Sequence, residues 1–542
     1  RTPFASSRTD SADMIQNVAD LKPPRPYLEI SETVMESDHT RQISLSIFQI
    51  IKPSCQRVSE IALRPSISDF DTLTYELRQI LIGLAAHYET YKKEAKNTAK
   101  SDYVVSTKLA DYVFFPISNL FKHPLLPEPV IQYILQILSF LVVHAWSHDI
   151  DDNLLEQLFA LTVFLAGGES IHHKLSSAIA GKGPELVSAA SACLVALVKC
   201  IPRDYYTGVQ NLEKRLSILG DTTTILLDAL ETFGPGSAEE ITSILRTLAW
   251  LYSTRVTAEQ ASFVFPGIVS KIVNFHSKSK NLPTESLLAV LDILRALIVK
   301  VFSDKSLDLT ITDGSGELQS PQALSSLLTH LNESTVPEET LVRVSITNSE
   351  KSHRTTAWLD ATSKQLKLSI MIFMKNFILG ANSRKRIASS PKLFNCIVDF
   401  VTDIVRTCFK ALFRELIPST VDILAALFYV ATKDQPGIKE SEILSKIESV
   451  YAILARSELE LLYKVLYSKT ENLITTQFPQ ILSSASEDKI CLCVSALKVH
   501  LHVTSSLSKA LLKPQASLDL LNQLVLTTLS THITQNVSRD AT

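Results

Sequence analysis

His144 and His148 stand four residues apart, with Asp149, Asp151 and Asp152 just behind them. On a helix that spacing turns two imidazoles to one side, and carboxylates beside them could complete a divalent metal site. A metalloprotease helix needs a general-base Glu after its first His, where this chain has Ala145. The acids read instead as the end of one helix and the start of the next, before Leu154. His172 and His173 are adjacent, share no ligand spacing with any cysteine, and read as solvent-facing. Cys491 and Cys493 point in different directions on a helix, while Cys193 and Cys200, at i and i+7, fit one buried face.

Nucleotide and acyl-transfer chemistry find no better footing. Gly181-Lys182-Gly183-Pro184 is a glycine pair that reads as a turn, and neither a Walker sequence nor a GxGxxG or GxSxG motif occurs. Lys92, Lys93, Lys96 and Lys100 lie near Glu89 and Glu94 and read as a solvated helix end. Arg384-Lys385-Arg386, followed by Ser389 and Ser390, reads as a loop between apolar helices that could hold an acidic or phosphorylated partner. The sequence thus assigns no catalytic residue, no cofactor and no metal, and leaves the partner-binding face unspecified. A non-enzymatic protein is expected.

The elements around these residues are helices. From Leu109 to Trp146 the chain reads as two apolar-faced helices joined by a proline-rich turn. In the first, Leu109, Tyr112, Val113, Pro116, Ile117 and Leu120 line one face, and Lys122-His123-Pro124 ends it. In the second, Val130, Ile131, Ile134, Leu135, Leu138 and Leu141 make a stripe too wide for one partner helix. Such a hairpin needs neighbours on both sides, as in stacked helical repeats. The pattern recurs in Leu366, Ile370, Phe373 and Phe377, and again in Leu393, Ile397, Phe400, Val401 and Ile404. Ser237 to Glu240 and Thr257 to Gln260 read as capping boxes, and Ser320-Pro321 and Ser390-Pro391 as helix starts. About twenty helices in ten antiparallel pairs follow from this spacing, with essentially no sheet; Thr340 to Ile346 is the one strand candidate. The expected fold is an all-α, HEAT-like solenoid, an ARM/HEAT superhelix of stacked helix pairs.

Composition agrees. A chain of 542 residues exceeds what one compact core supports, and 46% hydrophobic residues with only 14 glycines fit a mostly helical protein. A formal charge of −3 gives no field that would gather nucleic acid or an anionic membrane, so neither is expected as a direct partner. Seven cysteines without framework spacing suggest reduced thiols, and hence the cytoplasm or also the nucleus. No uninterrupted apolar run reaches the ~18 residues of a membrane span. Residues 1–40 read as a disordered tail, 41–302 as a first repeat lobe, 303–353 as a polar insertion with a short helix from Pro321 to Leu331, and 354–542 as a second lobe. Met35, just before the first patterned region, reads as the natural start, and the chain as a fragment of something longer.

Three segments carry a resemblance. Phe48-Gln49-Ile50-Ile51-Lys52-Pro53-Ser54-Cys55 is similar to the opening helix of the Tel-two-interacting protein one (Tti-one) family, the large HEAT-repeat subunit of the TTT complex. Leu109 to Lys122 resembles that family's "FP" helix, and Trp358-Leu359 through Phe377 its Trp-led helix after a long variable loop. The resemblance covers the N-terminal half of a family about twice this long. It implies a scaffold that joins Tel-two and Tti-two in a co-chaperone. The TTT complex brings phosphatidylinositol-3-kinase-related kinases, such as the ATM, ATR and mTOR classes, to the ninety-kilodalton heat-shock chaperone machinery. The alternative is a nuclear-transport receptor of the importin (karyopherin) type, also a helical solenoid, though such receptors are usually more acidic.

Overall fold

In the computed structural model, apolar stripes at helical spacing become helices that pack in pairs. The structure describes residues 38–511, apart from 96–102, 168–177, 313–342, 347–351, 434–438, 482–486 and breaks of one to three residues. Seventeen α-helices lie among the described residues. The chain forms two compact units, residues 1–256 and 257–542.

The first unit holds α1 (Asp38–Ala62), α2 (Phe70–Ala95), α3 (Thr107–Leu120), α4 (Glu128–Leu141), α5 (Asp152–Gly167), α6 (Pro184–Lys199), α7 (Leu212–Thr232) and α8 (Ala238–Thr254). Consecutive helices pair, and every second helix packs on the next but one: α2 on α4, α4 on α6, α6 on α8. This two-layer stacking is the helical solenoid expected from the sequence. The α4 stripe bears out its width, because Val130, Ile134, Leu135, Leu138 and Leu141 are all buried, with α2 on one side and α6 on the other. Gly83 lets α1 and α2 approach closely: a Cβ there would stand 2.7 Å from Ile51 Cγ2.

The α4 helix continues through a π turn, Val142–Trp146. Together these residues are long and apolar enough to cross a membrane by length and composition, which no sequence run suggested. Half of that window is buried, against neighbouring helices, as in the core helix of a stack.

The second unit holds α9 (Ala258–Lys278), α10 (Thr284–Phe302), the single turn α11 (Asp304–Leu307), α12 (Thr356–Leu379), α13 (Ala381–Ser389), α14 (Pro391–Thr407), α15 (Phe409–Lys433), α16 (Glu440–Asn472) and α17 (Glu487–Leu511). One layer runs α9, α12, α15, α17 and the other α10, α14, α16. Two short strands interrupt the helices. β1 (Leu309–Thr312) pairs antiparallel with β2 (Arg343–Ile346), Leu309 opposite Ile346 and Thr312 opposite Arg343. This ladder of four residues a strand is all the sheet among the described residues, in line with the expectation of essentially none, and its second strand falls inside the one strand candidate, Thr340 to Ile346.

The lobe boundary also moves. The sequence placed it in the polar insertion 303–353, but the division between the units falls at Val256/Thr257. The physical reason is that α9 packs on α12 and α10 on α14, so helices before and after the insertion share one core. Residues 1–37, most of the expected tail, and the Pro321–Leu331 helix lie outside the described residues, while Asp38 to Thr40 already belong to α1.

Caps follow the sequence unevenly. Thr257 makes the full capping box: the Gln260 N–H donates to Thr257 Oγ1 at 3.3 Å, and the Thr257 N–H to Gln260 Oε1 at 3.0 Å. Ser390 accepts from the Leu393 N–H, with Pro391 at the first helical position. Ser237 makes no side-chain cap bond, so that expected box is absent. The start of α15 is capped from a distance, because Asp304 accepts from the Lys410 and Ala411 N–H groups, each at 3.0 Å. Burial pushes the Asp304 carboxyl up, and those amides oppose the shift.

Candidate interaction surface

Each unit carries a trough over the middle one of three helices in a layer. In the first unit the floor is α6, between the π turn after α4 and the start of α8. Its volume is about 480 Å³, and Ser147, Ser188, Ser191, Ser243, Glu239 and Lys199 share its lining with Val143, Ala192, Val195, Ala196 and Ile244. Ser191 is buried and its hydroxyl has no hydrogen-bond partner among the described residues. Cys200 also lines this trough, and burial pushes its thiol up to about 11, which disfavours the reactive thiolate.

The trough of the second unit is larger and apolar. Its volume is about 750 Å³, with α15 as floor and α12 and α17 as walls. Each helix contributes a row at helical spacing: Leu368, Met371, Ile372 and Lys375 from α12; Ser419, Asp422, Ile423 and Ala426 from α15; Lys489, Leu492, Cys493 and Ala496 from α17. On the outer wall Leu368 is 63% exposed, Ile372 54% and Met371 43%. The opposite face of the same helix is core, with Leu366, Ile370, Phe373 and Phe377 buried as the stripe predicts. One end of the trough is polar. Lys469 pairs with Asp422 at 2.6 Å, and buried His500 lies beside Thr470. Burial and the nearby Lys469 hold the His500 imidazole down, to about 4, so it is neutral near pH 7.

One arginine in each unit, Arg215 half-buried and Arg354 buried, ties an excursion of the chain to the stack. Arg215 reaches Glu156 at 3.4 Å, Asp152 at 3.2 Å and the Tyr205 carbonyl at 2.9 Å, with its guanidinium 4.1 Å from the Tyr205 ring. Arg354 donates to Glu259 at 3.0 Å, to the Val301 and Ser306 carbonyls and to the Ser306 hydroxyl. Glu259 also accepts from the Ser352 hydroxyl and the His353 N–H. Burial alone would raise the Glu259 carboxyl, but these donors hold it below the usual range. The two ends of the insertion are thereby clamped to α9 and α10.

The residues singled out in the sequence disperse. His144 sits half-buried among Tyr88, Tyr103 and Phe140, its ring 4.5 Å from that of Phe140, and burial holds its imidazole down. His148, Asp149, His172, His173, Lys96 and Lys100 lie outside the described residues. Asp152 opens α5 and pairs with Arg215. Gly181 ends the 3-10 helix Ala178–Gly181 and Gly183 is the residue before α6, with Pro184 at its first position, so the glycine pair spans the short connection between them. Cys193 is buried, and burial pushes its thiol up to about 12. Lys92 lies exposed at the end of α2, near Glu89. Arg384-Lys385-Arg386 is corrected: it lies in the helix α13, not in a loop, and Arg384 is 3.7 Å from Asp488. Among the described residues no group of acids, histidines and cysteines could hold a metal ion. The sequence stripes did not reveal the exposed wall of α12, because Leu368 to Met374 is apolar on almost every side.

A family model described as the TTI1 N-terminal TPR domain matches residues 48–431. The chain belongs to that family. The match begins at Phe48, the residue from which the resemblance in sequence runs. TEL2-interacting protein 1 of Saccharomyces cerevisiae is 30% identical over 347 residues, which cover 62% of this chain and 31% of the yeast protein. The aligned part is thus less than a third of that relative's length.

Proposed function

We propose that this chain is a scaffold segment of a TTT-type co-chaperone, with no catalytic activity of its own. In this reading it binds Tel-two and Tti-two proteins and, with the ninety-kilodalton heat-shock chaperone machinery, supports the folding and assembly of phosphatidylinositol-3-kinase-related kinases in the cytoplasm and also in the nucleus. The observation that carries it is the family match over residues 48–431. The name of the yeast relative, a TEL2-interacting protein, supports Tel-two as a partner. The chemistry of the chain is compatible, because stacked helix pairs expose long rows of side chains to which another protein can bind through many contacts. Thiols pushed up by burial at Cys55, Cys193 and Cys408 are poor nucleophiles, which favours a binding role.

The test is recovery of partners on the tagged full chain from a cell lysate. Tel-two together with kinases of this class is the expected result. Recovery of the Ran GTPase and nucleoporin repeats without Tel-two would overturn the reading and favour a transport receptor.

A further inference from the structure

The wall of α12 that faces the second unit's trough exposes Leu368, Met371 and Ile372 at consecutive turns of one helix. Three neighbouring large apolar side chains in water form a patch of the kind that marks an interaction site, unlike isolated exposed residues. Methionine strengthens the case. The chain has four methionines, and the two among the described residues, Met371 and Met374, both line this trough. Their unbranched, polarisable side chains adapt to varied apolar partners.

The shape selects the kind of partner. Three rows of side chains, each at i, i+3 or i+4, i+7 spacing, run along α12, α15 and α17, and the middle row is low because Ser419, Ala425 and Ala426 are small. A trough bounded by helical ridges accepts the ridge of another helix, as in ridges-into-grooves packing. Charge selects its flanks. The lining holds Lys375, Lys469 and Lys489 against one acid, Asp422, which Lys469 already engages. Lys375 and Lys489 are exposed and pair with no carboxylate among the described residues.

A polar point lies within the apolar lining. The Thr470 hydroxyl donates to the Leu466 carbonyl at 2.6 Å, so in its 3.3 Å contact with His500 it accepts and Nδ1 carries the proton. The neutral ring then offers Nε2 as an acceptor, and Nε2 has no partner among the described residues.

We propose that this trough docks one amphipathic α-helix of a partner protein, with apolar anchors at i, i+3 or i+4 and i+7 set against Leu368, Met371 and Ile372, and with acidic residues flanking them toward Lys375 and Lys489. The proposal goes beyond the assembly reading and does not depend on it. The chain's own residues 512–542 fit the charge poorly, with Asp519 and Asp540 balanced by Lys513 and Arg539.

The experiment measures binding of labelled synthetic helices of about five turns to the full chain by fluorescence anisotropy. One helix carries leucines at i, i+3, i+7 and flanking glutamates, a second has lysines in place of the glutamates, and a third is a scramble of the first. The first should bind saturably, about tenfold or more tighter than the second, and the scramble should not saturate. The pair Leu368→Ser and Ile372→Ser should weaken binding about tenfold with an unchanged thermal midpoint, since both residues are exposed. Lys375→Glu with Lys489→Glu should invert the preference between the glutamate and lysine helices. Equal affinity for those two helices, or undiminished binding by the serine pair, would overturn the proposal. It would equally fall if the chain proved to be a dimer that Ile372→Ser dissociates, or if a cross-link joined Lys375 to Lys513 within one monomer, because the trough would then be filled by a second copy or by the chain itself.

Discussion

The troughs of the two units occupy the same place in the layering, over the middle helix of three, yet they are lined by different chemistry. In the first unit α6 presents Ser188, Ser191 and Lys199, and Glu239 faces them from α8. In the second, α12 and α17 present Leu368, Ile372, Leu492 and Cys493. The architecture therefore supplies the cleft, and the side chains on three helix faces decide whether water fills it comfortably. A cleft whose lining mixes serines and charged groups with apolar side chains keeps more of its hydration as it stands, whereas apolar surface gains roughly 25 cal/mol for each Å² a partner covers.

The sharpest way to separate wall from core is a leucine on each. Leu138 of α4 is fully buried, so Leu138→Ala should destabilise the first unit by about 2–5 kcal/mol through lost burial and a residual cavity. Leu368→Ala, on the exposed wall of α12, should change stability by no more than about 0.5 kcal/mol. Chemical denaturation of both variants checks this. A large loss at Leu368 would mean that the α12 wall is packed in solution and that the contrast between the troughs is false.

Next in size is the clamp of the second unit. Arg354→Ala removes a buried guanidinium that satisfies Glu259 and two backbone carbonyls, and should cost about 2–3 kcal/mol. Hydrogen exchange should quicken at Ser306 and Leu307 and around Thr355, while amides of the first unit stay unchanged. The matching change Arg215→Ala should have its effect in the first unit alone, at the loop holding Tyr205.

Acid should weaken the second unit through two buried histidines. His276, whose ring packs against those of Phe373 and Phe377, and His500, in the trough, are both held down to about 4, chiefly by burial. Each is neutral in the folded state below its unfolded value near 6.5, so the unfolded chain binds more protons across that interval. The second unit's stability should be fully present above about pH 6.5 and fall as pH drops toward 4, by at most ~1.4 kcal/mol per pH unit for each histidine. His276→Phe should flatten the slope of the thermal midpoint against pH. A slope unchanged in that variant would remove His276 from the account.

The smallest effect belongs to the first unit's trough. Ser191→Ala deletes a buried hydroxyl without a partner among the described residues and favours the helix, so stability should stay within about 0.5 kcal/mol or rise slightly. A loss above about 1 kcal/mol, read by the same denaturation, would reveal that Ser191 holds a bound water or neighbour, since losing a buried hydrogen bond costs about that much.

Much of the fold was legible because helical periodicity is a local property. The stripes from Leu109 to Leu141, from Leu366 to Phe377 and from Leu393 to Ile404 could be read one turn at a time, and the width of the α4 stripe foretold neighbours on both sides. Thr257 and Ser390 announced their helix starts for the same reason, since a capping bond spans three residues. The candidate site was not legible in this way. Along Leu368 to Met374 the segment LSIMIFM is apolar on almost every side, and periodicity cannot say which side neighbours will cover.

What the sequence determined by itself is the class of fold and the family, because both rest on residues a few positions apart. Only the tertiary structure decided where the units divide, since that depends on α9 and α10 packing across the insertion onto α12 and α14. It also decided that Arg354 meets Glu259, ninety-odd residues earlier, and that Leu368, Met371 and Ile372 stay in water while Phe373 and Phe377 do not. Burial is a sum over neighbours that are distant in the chain, and no local pattern of residues contains it.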